Sequence, residues 1–280
     1  LMITYLTRTQ LNKNEYDNCI HNAPQSKVYA LSWYLDIVAD NWGALVLNNY
    51  EAVMPLPWRK KYGICYVYPP CWTQQLGVFS KKEITPNDIQ LFMDAIPKKF
   101  KKITIQFNAE NKLIDNNATK KNNYLIPLCK SYAEIYANYN KLRKRKLKSK
   151  KQIHIKSLAP TQFIEFSKKV KTNAQAVEND DYDKLLNLME HCVANEKGEV
   201  RGVFNDADEL IGGSFFLKSN NRITYLFSRV NNKGKQLNGM TVLIDDVLER
   251  HANSNFVFDF EGSMVEGIAL FFKSFGADAE

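Results

Sequence analysis

The chain has 280 residues, 45% of them hydrophobic and 24% charged, with 16 Phe and 14 Tyr; these are globular values and exclude disorder as the main state. Lys and Arg number 38 against 30 Asp and Glu, and the resulting +8 suits a phosphorylated ligand, an acidic polymer or plain solubility without choosing among them. At roughly 100–200 residues per domain, the length allows one large domain or two ordinary ones.

The opening Leu1-Met2-Ile3-Thr4-Tyr5 lacks the basic-then-apolar pattern of a signal peptide. No apolar run approaches the ~18 residues that cross a bilayer. The expectation is a soluble cytoplasmic protein without membrane insertion. Cys19, Cys65, Cys71, Cys129 and Cys192 are scattered, with no CxxC pair and no His-Cys spacing of a zinc site, so reduced thiols and no metal are expected.

Trp33, Trp42, Trp58 and Trp72 all fall in the first half. With Arg59, Lys60 and Lys61 they offer either the lining of an acceptor groove or ordinary core packing. Residues 44–70 alternate apolar runs with Asn48-Asn49 and Arg59-Lys60-Lys61, which predicts three strands joined by polar turns. A helix near residues 87–96 and a strand at 103–107 follow. Residues 131–151 carry Tyr132, Ile135, Tyr136, Tyr139 and Leu142 at helical spacing and then turn strongly basic, reading as one helix. Its basic end is either a solvated helix terminus or an anion-binding face on a substrate or tRNA, with Arg143 as its candidate contact.

Helices are predicted at 159–167 and 180–195, with a loop at 172–176 between them. Residues 202–230 then repeat the three-strand meander, followed by a helix at 237–251, a strand at 256–260 and a last helix toward Ala277. Leu237, Met240, Ile244, Val247 and Leu248 put one face of the first of these helices on the sheet. The fold class is α/β, with a mixed sheet and helices in each half, and the halves look like diverged copies. The turn Gln236-Leu237-Asn238-Gly239-Met240-Thr241 opens that helix. A helix start offers unpaired N–H groups and positive potential to a phosphate, although the same residues also suit an ordinary strand-to-helix turn.

Three features together resemble the FemAB-like branch of the GNAT (Gcn5-related N-acetyltransferase) superfamily. They are the duplicated unit, the basic helix around Tyr139-Asn140-Lys141-Leu142-Arg143-Lys144-Arg145, and the ending Asp259-Phe260-Glu261-Gly262-Ser263…Phe275-Gly276-Ala277. The resemblance implies two tandem acyl-CoA N-acyltransferase domains, 1–130 and 131–280, in relatives of which further strand follows Gly276-Ala277. It also implies a turn of the form Gln/Arg-x-x-Gly-x-Gly/Ala that cradles the pyrophosphate of acyl-coenzyme A. Gln236, Gly239 and Thr241 fall on its marked positions, while backbone N–H groups of the run from Phe227 through Arg229 to Val230 would take the pantetheine arm. The first copy has Gln74 and Gly77, but Phe79 is too bulky, so only the second copy is expected to hold a donor. FemAB enzymes themselves take an aminoacyl group from tRNA, and many carry a long helical hairpin for which residues 168–180 leave no room.

Acyl transfer to an amine needs a positioned neutral nucleophile and a base. Glu261 and Asp259 at the end of the last strand are the base candidates, their alternative being a cap or an ion pair there. Tyr225 is a proton donor or a core tyrosine. The four histidines have no partnered Ser or Cys pattern. The leading expectation is an acyl-CoA-dependent N-acyltransferase with a small-molecule or peptide amine acceptor between the halves, near Trp33, Arg59 and Arg143. The alternatives are an aminoacyl-tRNA-dependent transferase that grips tRNA through residues 143–151, and a catalytically silent GNAT-fold binding module.

Overall fold

The computed structural model describes residues 2–114, 118–170 and 177–280. Contacts divide the chain into two units, Leu1–Lys120 and Lys121–Glu280. The division precedes the expected boundary after residue 130 because residues 123–127 form a strand of the second sheet.

The first unit runs β1 (Ile3–Thr7), α1 (Lys13–His21), α2 (Ser32–Val38), β2 (Asn41–Leu47), β3 (Ala52–Lys61), β4 (Ile64–Val67), β5 (Phe79–Ser80), α3 (Pro86–Asp94) and β6 (Phe100–Ile103). Its sheet has the order β1-β2-β3-β4-β6, with β5 on β3; β6 alone is parallel to its neighbour. The meander read at residues 44–70 is β2, β3 and β4. Thr85 starts α3 with a capping box shared with Asp88, and Pro86 at the first turn needs no N–H there. Ile89 and Phe92 then meet Leu45, Met54, Leu56, Val67 and Phe100 in one buried cluster. The strand expected at 103–107 begins earlier, at Phe100.

The second unit runs β7 (Asn123–Pro127), α4 (Tyr132–Ala137), α5 (Lys141–Lys146), β8 (Ile153–Ser157), α6 (Pro160–Lys169), α7 (Asn179–Ala194), β9 (Gly198–Asn205), β10 (Leu210–Ser219), β11 (Arg222–Val230), α8 (Asn232–Gln236), α9 (Gly239–Arg250), β12 (Val257–Gly262), α10 (Glu266–Lys273) and β13 (Asp278–Ala279). The sheet order is β13-β7-β12-β11-β10-β9-β8. The predicted loop at 172–176 lies outside the described residues. The single helix expected over 131–151 is instead α4, α5 and a 3-10 turn at Leu147–Gln152. Asn140 breaks it: its side chain caps α5 by accepting from the Arg143 N–H at 2.8 Å, and a cap residue has extended rather than helical backbone.

On one face of this sheet α9 buries Val242, Leu243, Ile244, Val247 and Leu248 against Phe216, Ile223 and Phe258, with α10 adding Phe272. On the other, Phe163 of α6 and Tyr182 of α7 meet the Phe227 ring edge-on at 5.6 and 6.3 Å. Both faces being covered, β10 is a nearly continuous buried run rather than an alternating one.

Candidate active site

The two parallel strands at the centre of the second sheet part company. β11 and β12 pair at Arg222↔Val257, Ile223↔Phe258 and Thr224↔Asp259 and no further. Two irregularities turn them aside. On β11, Phe227 pairs with Phe215 and Tyr225 with Phe216, so Leu226 is an extra residue that bends the strand. On β12 the register against β7 shifts between Asp259 and Gly262, and Glu261 between them takes a left-handed φ of 58°.

The wedge so opened has one defined edge. The Asn231 N–H donates to the Ile211 carbonyl of β10 at 3.0 Å, and the Ser214 hydroxyl donates to the Phe227 carbonyl at 2.8 Å. Backbone groups of alternate residues point to opposite edges of a strand. Phe227 and Arg229 therefore turn their N–H and C=O toward β10, and Ser228 and Val230 turn theirs toward the wedge. This corrects the expectation for Phe227 and Arg229: the first is a buried aromatic, 5% exposed, and the guanidinium of the second lies over its ring at 4.5 Å. The expected run of Phe227 to Val230 is thereby narrowed to Ser228 and Val230, because the bulge at Leu226 resets which residues face the open edge.

Beyond β11, Gly234 packs so closely that a Cβ would stand 2.3 Å from the Ile211 carbonyl oxygen. Asn238, in the left-handed conformation at φ 58°, then starts α9. Its carbonyl accepts from the N–H groups of Thr241 at 2.9 Å and Val242 at 3.3 Å. The N–H groups of Gly239 and Met240 find no backbone acceptor among the described residues. A Cβ at Gly239 would lie 3.0 Å from Val203 Cγ1 on the core side, a tight contact. Gln236 is exposed, Leu237 and Met240 are half-buried on the core, and Thr241 is 2% exposed.

Thr241 and Arg143, expected at a ligand, hold each other. The Arg143 guanidinium donates to the Thr241 hydroxyl and, through Nε, to Ser274 Oγ at 2.9 Å, while Phe271 and Phe275 cover it at 4.3 and 4.6 Å. The residue is 3% exposed, and burial pulls its pKa down to about 10, against a smaller upward pull from Tyr139. Arg143 is thus a core arginine and cannot contact tRNA or substrate. Lys150 of the same run is also committed, to Asp245 at 3.4 Å and Glu249 at 2.9 Å. Asp245, 1% exposed, accepts from the Tyr132 and Tyr139 hydroxyls at 2.8 and 3.2 Å, and burial raises its pKa against the pull of those partners.

Of the base candidates, Asp259 is buried and spoken for. One oxygen accepts from Arg222 at 2.5 Å and the other from the Glu261 N–H at 2.8 Å, so it shapes the bulge rather than facing a substrate. Glu261 sits half-buried at the mouth of the wedge. Tyr225 is 9% exposed, its ring among Phe216, Phe258, Phe260 and Phe272; burial pushes its hydroxyl up to about 12, against a hydrogen bond with Ser228. That is a core tyrosine. Trp33 is half-buried against Tyr34, and Arg59 pairs with Asp40 at 2.5 Å over the Tyr68 ring, both within the first unit. No group of His, Cys, Asp and Glu among the described residues could hold a metal ion.

The corresponding wedge of the first unit is filled. β4 and β6 pair through Val67↔Ile103, and the Thr104 N–H still reaches the Val67 carbonyl at 3.1 Å. Then Leu76 enters: its N–H donates to the Gln106 carbonyl at 2.7 Å and its carbonyl accepts from the Asn108 N–H at 3.0 Å. Thr104 and Gln106 face the same edge, so residues 75–77 run where β4 has left off. Gly77, at φ 108°, is compulsory, since a Cβ would lie 2.2 Å from Asn111 Oδ1. Gln74 to Phe79 is therefore an extended plug and not a helix start.

No protein-family model and no curated protein matches the chain. Solved structures do. The crystal structure of FemX is similar at a TM-score of 0.67 and 10% identity, over 100% of this chain and 95% of that one. A tandem GNAT protein from the clavulanic acid biosynthesis pathway is similar at 0.53 and 9% identity, over 99% and 95%. L-PGS from Bacillus licheniformis is similar at 0.53 and 11%, over 95% and 88%. With two mixed sheets, a parted parallel strand pair in each and these likenesses along its length, the chain has the FemAB-like tandem GNAT fold.

Proposed function

We propose that the protein is an acyltransferase that binds acyl-coenzyme A in the second unit and passes the acyl group to an amine. One observation carries the reading: β11 and β12 stop pairing after Thr224↔Asp259, and the Gly239 and Met240 amides at the start of α9 have no backbone acceptor among the described residues. The Ser228 and Val230 N–H groups would take the pantetheine arm as an added strand, the Ser228 carbonyl being held by Arg229 Nη1 at 3.1 Å, and the α9 amides the pyrophosphate. Glu261 is the one base candidate left at the wedge, acting directly or through water on the acceptor amine. The neutral amine then attacks the thioester carbonyl, and the thiolate of coenzyme A leaves.

The aminoacyl-tRNA-dependent alternative has lost Arg143 from its grip, though Lys141, Arg145, Lys148, Lys150 and Lys151 remain exposed. Asn238 separates ligand binding from folding. Asp in its place tolerates the same left-handed backbone, and Asn238 makes no side-chain capping bond to lose, only a 3.5 Å bond from Nδ2 to the Gln236 carbonyl, yet Asp puts a negative charge beside the donor's phosphates. Titration calorimetry with acetyl-coenzyme A should show binding that N238D weakens about tenfold or more, with the melting temperature kept. No binding of coenzyme A or its thioesters by the native chain would sink the proposal and leave tRNA transfer or a silent module.

A further inference from the structure

Arg229 holds a charge that the second sheet does not answer. The other cations of β9, β10 and β11 each meet a carboxylate: Arg201 lies 3.7 Å from Asp246, Lys218 3.6 Å from Glu199, and Arg222 2.5 Å from Asp259. Arg229 is half-buried like them, yet among the described residues it forms no ion pair. Its Nε is buried without an acceptor, its Nη1 donates to the Ser228 carbonyl at 3.1 Å, and its Nη2 bonds nothing among those residues. A partly desolvated guanidinium without an anion is a cost that folded chains ordinarily avoid. It points to an anion that comes from outside.

The fold sets this fork at the wedge. β11 and β10 pair regularly from Phe227↔Phe215 to Val230↔Gly212, so the Arg229 side chain stands on the same face as Phe227. That is the face which α6 and α7 cover through Phe163 and Tyr182. The guanidinium lies over the Phe227 ring at 4.5 Å and reaches the edge of β11 at the Ser228 carbonyl, which turns toward the wedge. Opposite Arg229 on β10 is Gly213, which offers it no side chain. The start of α9, where the donor's pyrophosphate is proposed to sit, packs on the other face, Gly239 adjoining Val203 of the core cluster. The Arg229 charge therefore serves what enters the wedge from the α6/α7 side and not the donor's phosphates.

We infer that Arg229 selects the acceptor by binding a carboxylate on it, so that the amine acylated belongs to an amino acid or to a short peptide with a free carboxylate. The inference rests on the acyltransferase reading above. A guanidinium grips a carboxylate through two parallel N–H donors, and Nη2 with the second hydrogen of Nη1 is the pair left free here. Phe227 beneath holds the plane of the fork and keeps water from one side of it.

Acetyl transfer by the whole chain, followed by release of the coenzyme A thiol, tests this with acceptors offered in pairs: each amino acid against the amine left by its decarboxylation, and dipeptides against their C-terminal amides. The carboxylate-bearing member is expected to be the better acceptor by about tenfold or more in kcat/KM. R229M keeps the stem over Phe227 and removes the fork. It should abolish the preference through KM, leaving kcat, acetyl-coenzyme A affinity and melting temperature in place. R229K keeps the charge without the fork, should retain part of the preference, and serves where R229M does not fold. Equal use of both members of each pair, use of neither by a chain that binds acetyl-coenzyme A, or weaker acetyl-coenzyme A binding by R229M would each overturn the inference. Failure of the native chain to bind acetyl-coenzyme A is read first and separately, by calorimetry, and would take down the acyltransferase reading and this inference together.

Discussion

Asp259 and Glu261 stand two residues apart on one strand end and do different work. Asp259 ties Arg222 to the Glu261 amide and so holds Glu261 at its left-handed φ of 58°, a conformation uncommon outside glycine and asparagine. The two carboxylates therefore separate by experiment. E261Q should lower turnover by about 10²–10⁴-fold while leaving coenzyme A affinity and melting temperature in place. D259N should instead cost about 1–3 kcal/mol of stability by removing the buried ion pair with Arg222, measured by urea unfolding. Equal turnover in E261Q and the native protein would remove Glu261 from the proposed mechanism. The sequence pointed to both residues but could not rank them, because an ion pair to Arg222, 37 positions away, is invisible without the sheet.

At the scale of elements, three-strand meanders were legible because their apolar runs and polar turns alternate within a few residues, which local pattern records. The basic segment was not. Its eight Lys and Arg between residues 141 and 151 look alike in sequence, yet the break at Asn140 rotates α5 so that Arg143 enters the core between Phe271 and Phe275. Arg143 thereby fastens α5 to α9 at Thr241 and to α10 at Ser274. R143A removes two hydroxyl partners and the filling between two rings, and should cost about 3 kcal/mol in urea unfolding. An exposed tRNA contact would change stability by no more than about 0.5 kcal/mol. The same reasoning explains Thr241, whose side chain faces inward to Arg143.

At the scale of the whole molecule, the duplication was legible from repeated order, and the unequal use of the two copies only in part. Phe79 suggested a spoiled turn in the first copy. What fills that wedge is the chain itself, Leu76 bonded to Gln106 and Asn108, a pairing across some 30 residues that no local pattern encodes. The two wedges thus start from one strand arrangement and end differently, one closed by residues 75–77 and one open beside α9. The central claim is that a single open wedge serves as the donor site, and the stoichiometry of an acetyl-coenzyme A titration, read by calorimetry, tests it most directly. One donor per chain, displaced by coenzyme A, is the predicted result; two per chain, or none, would contradict it.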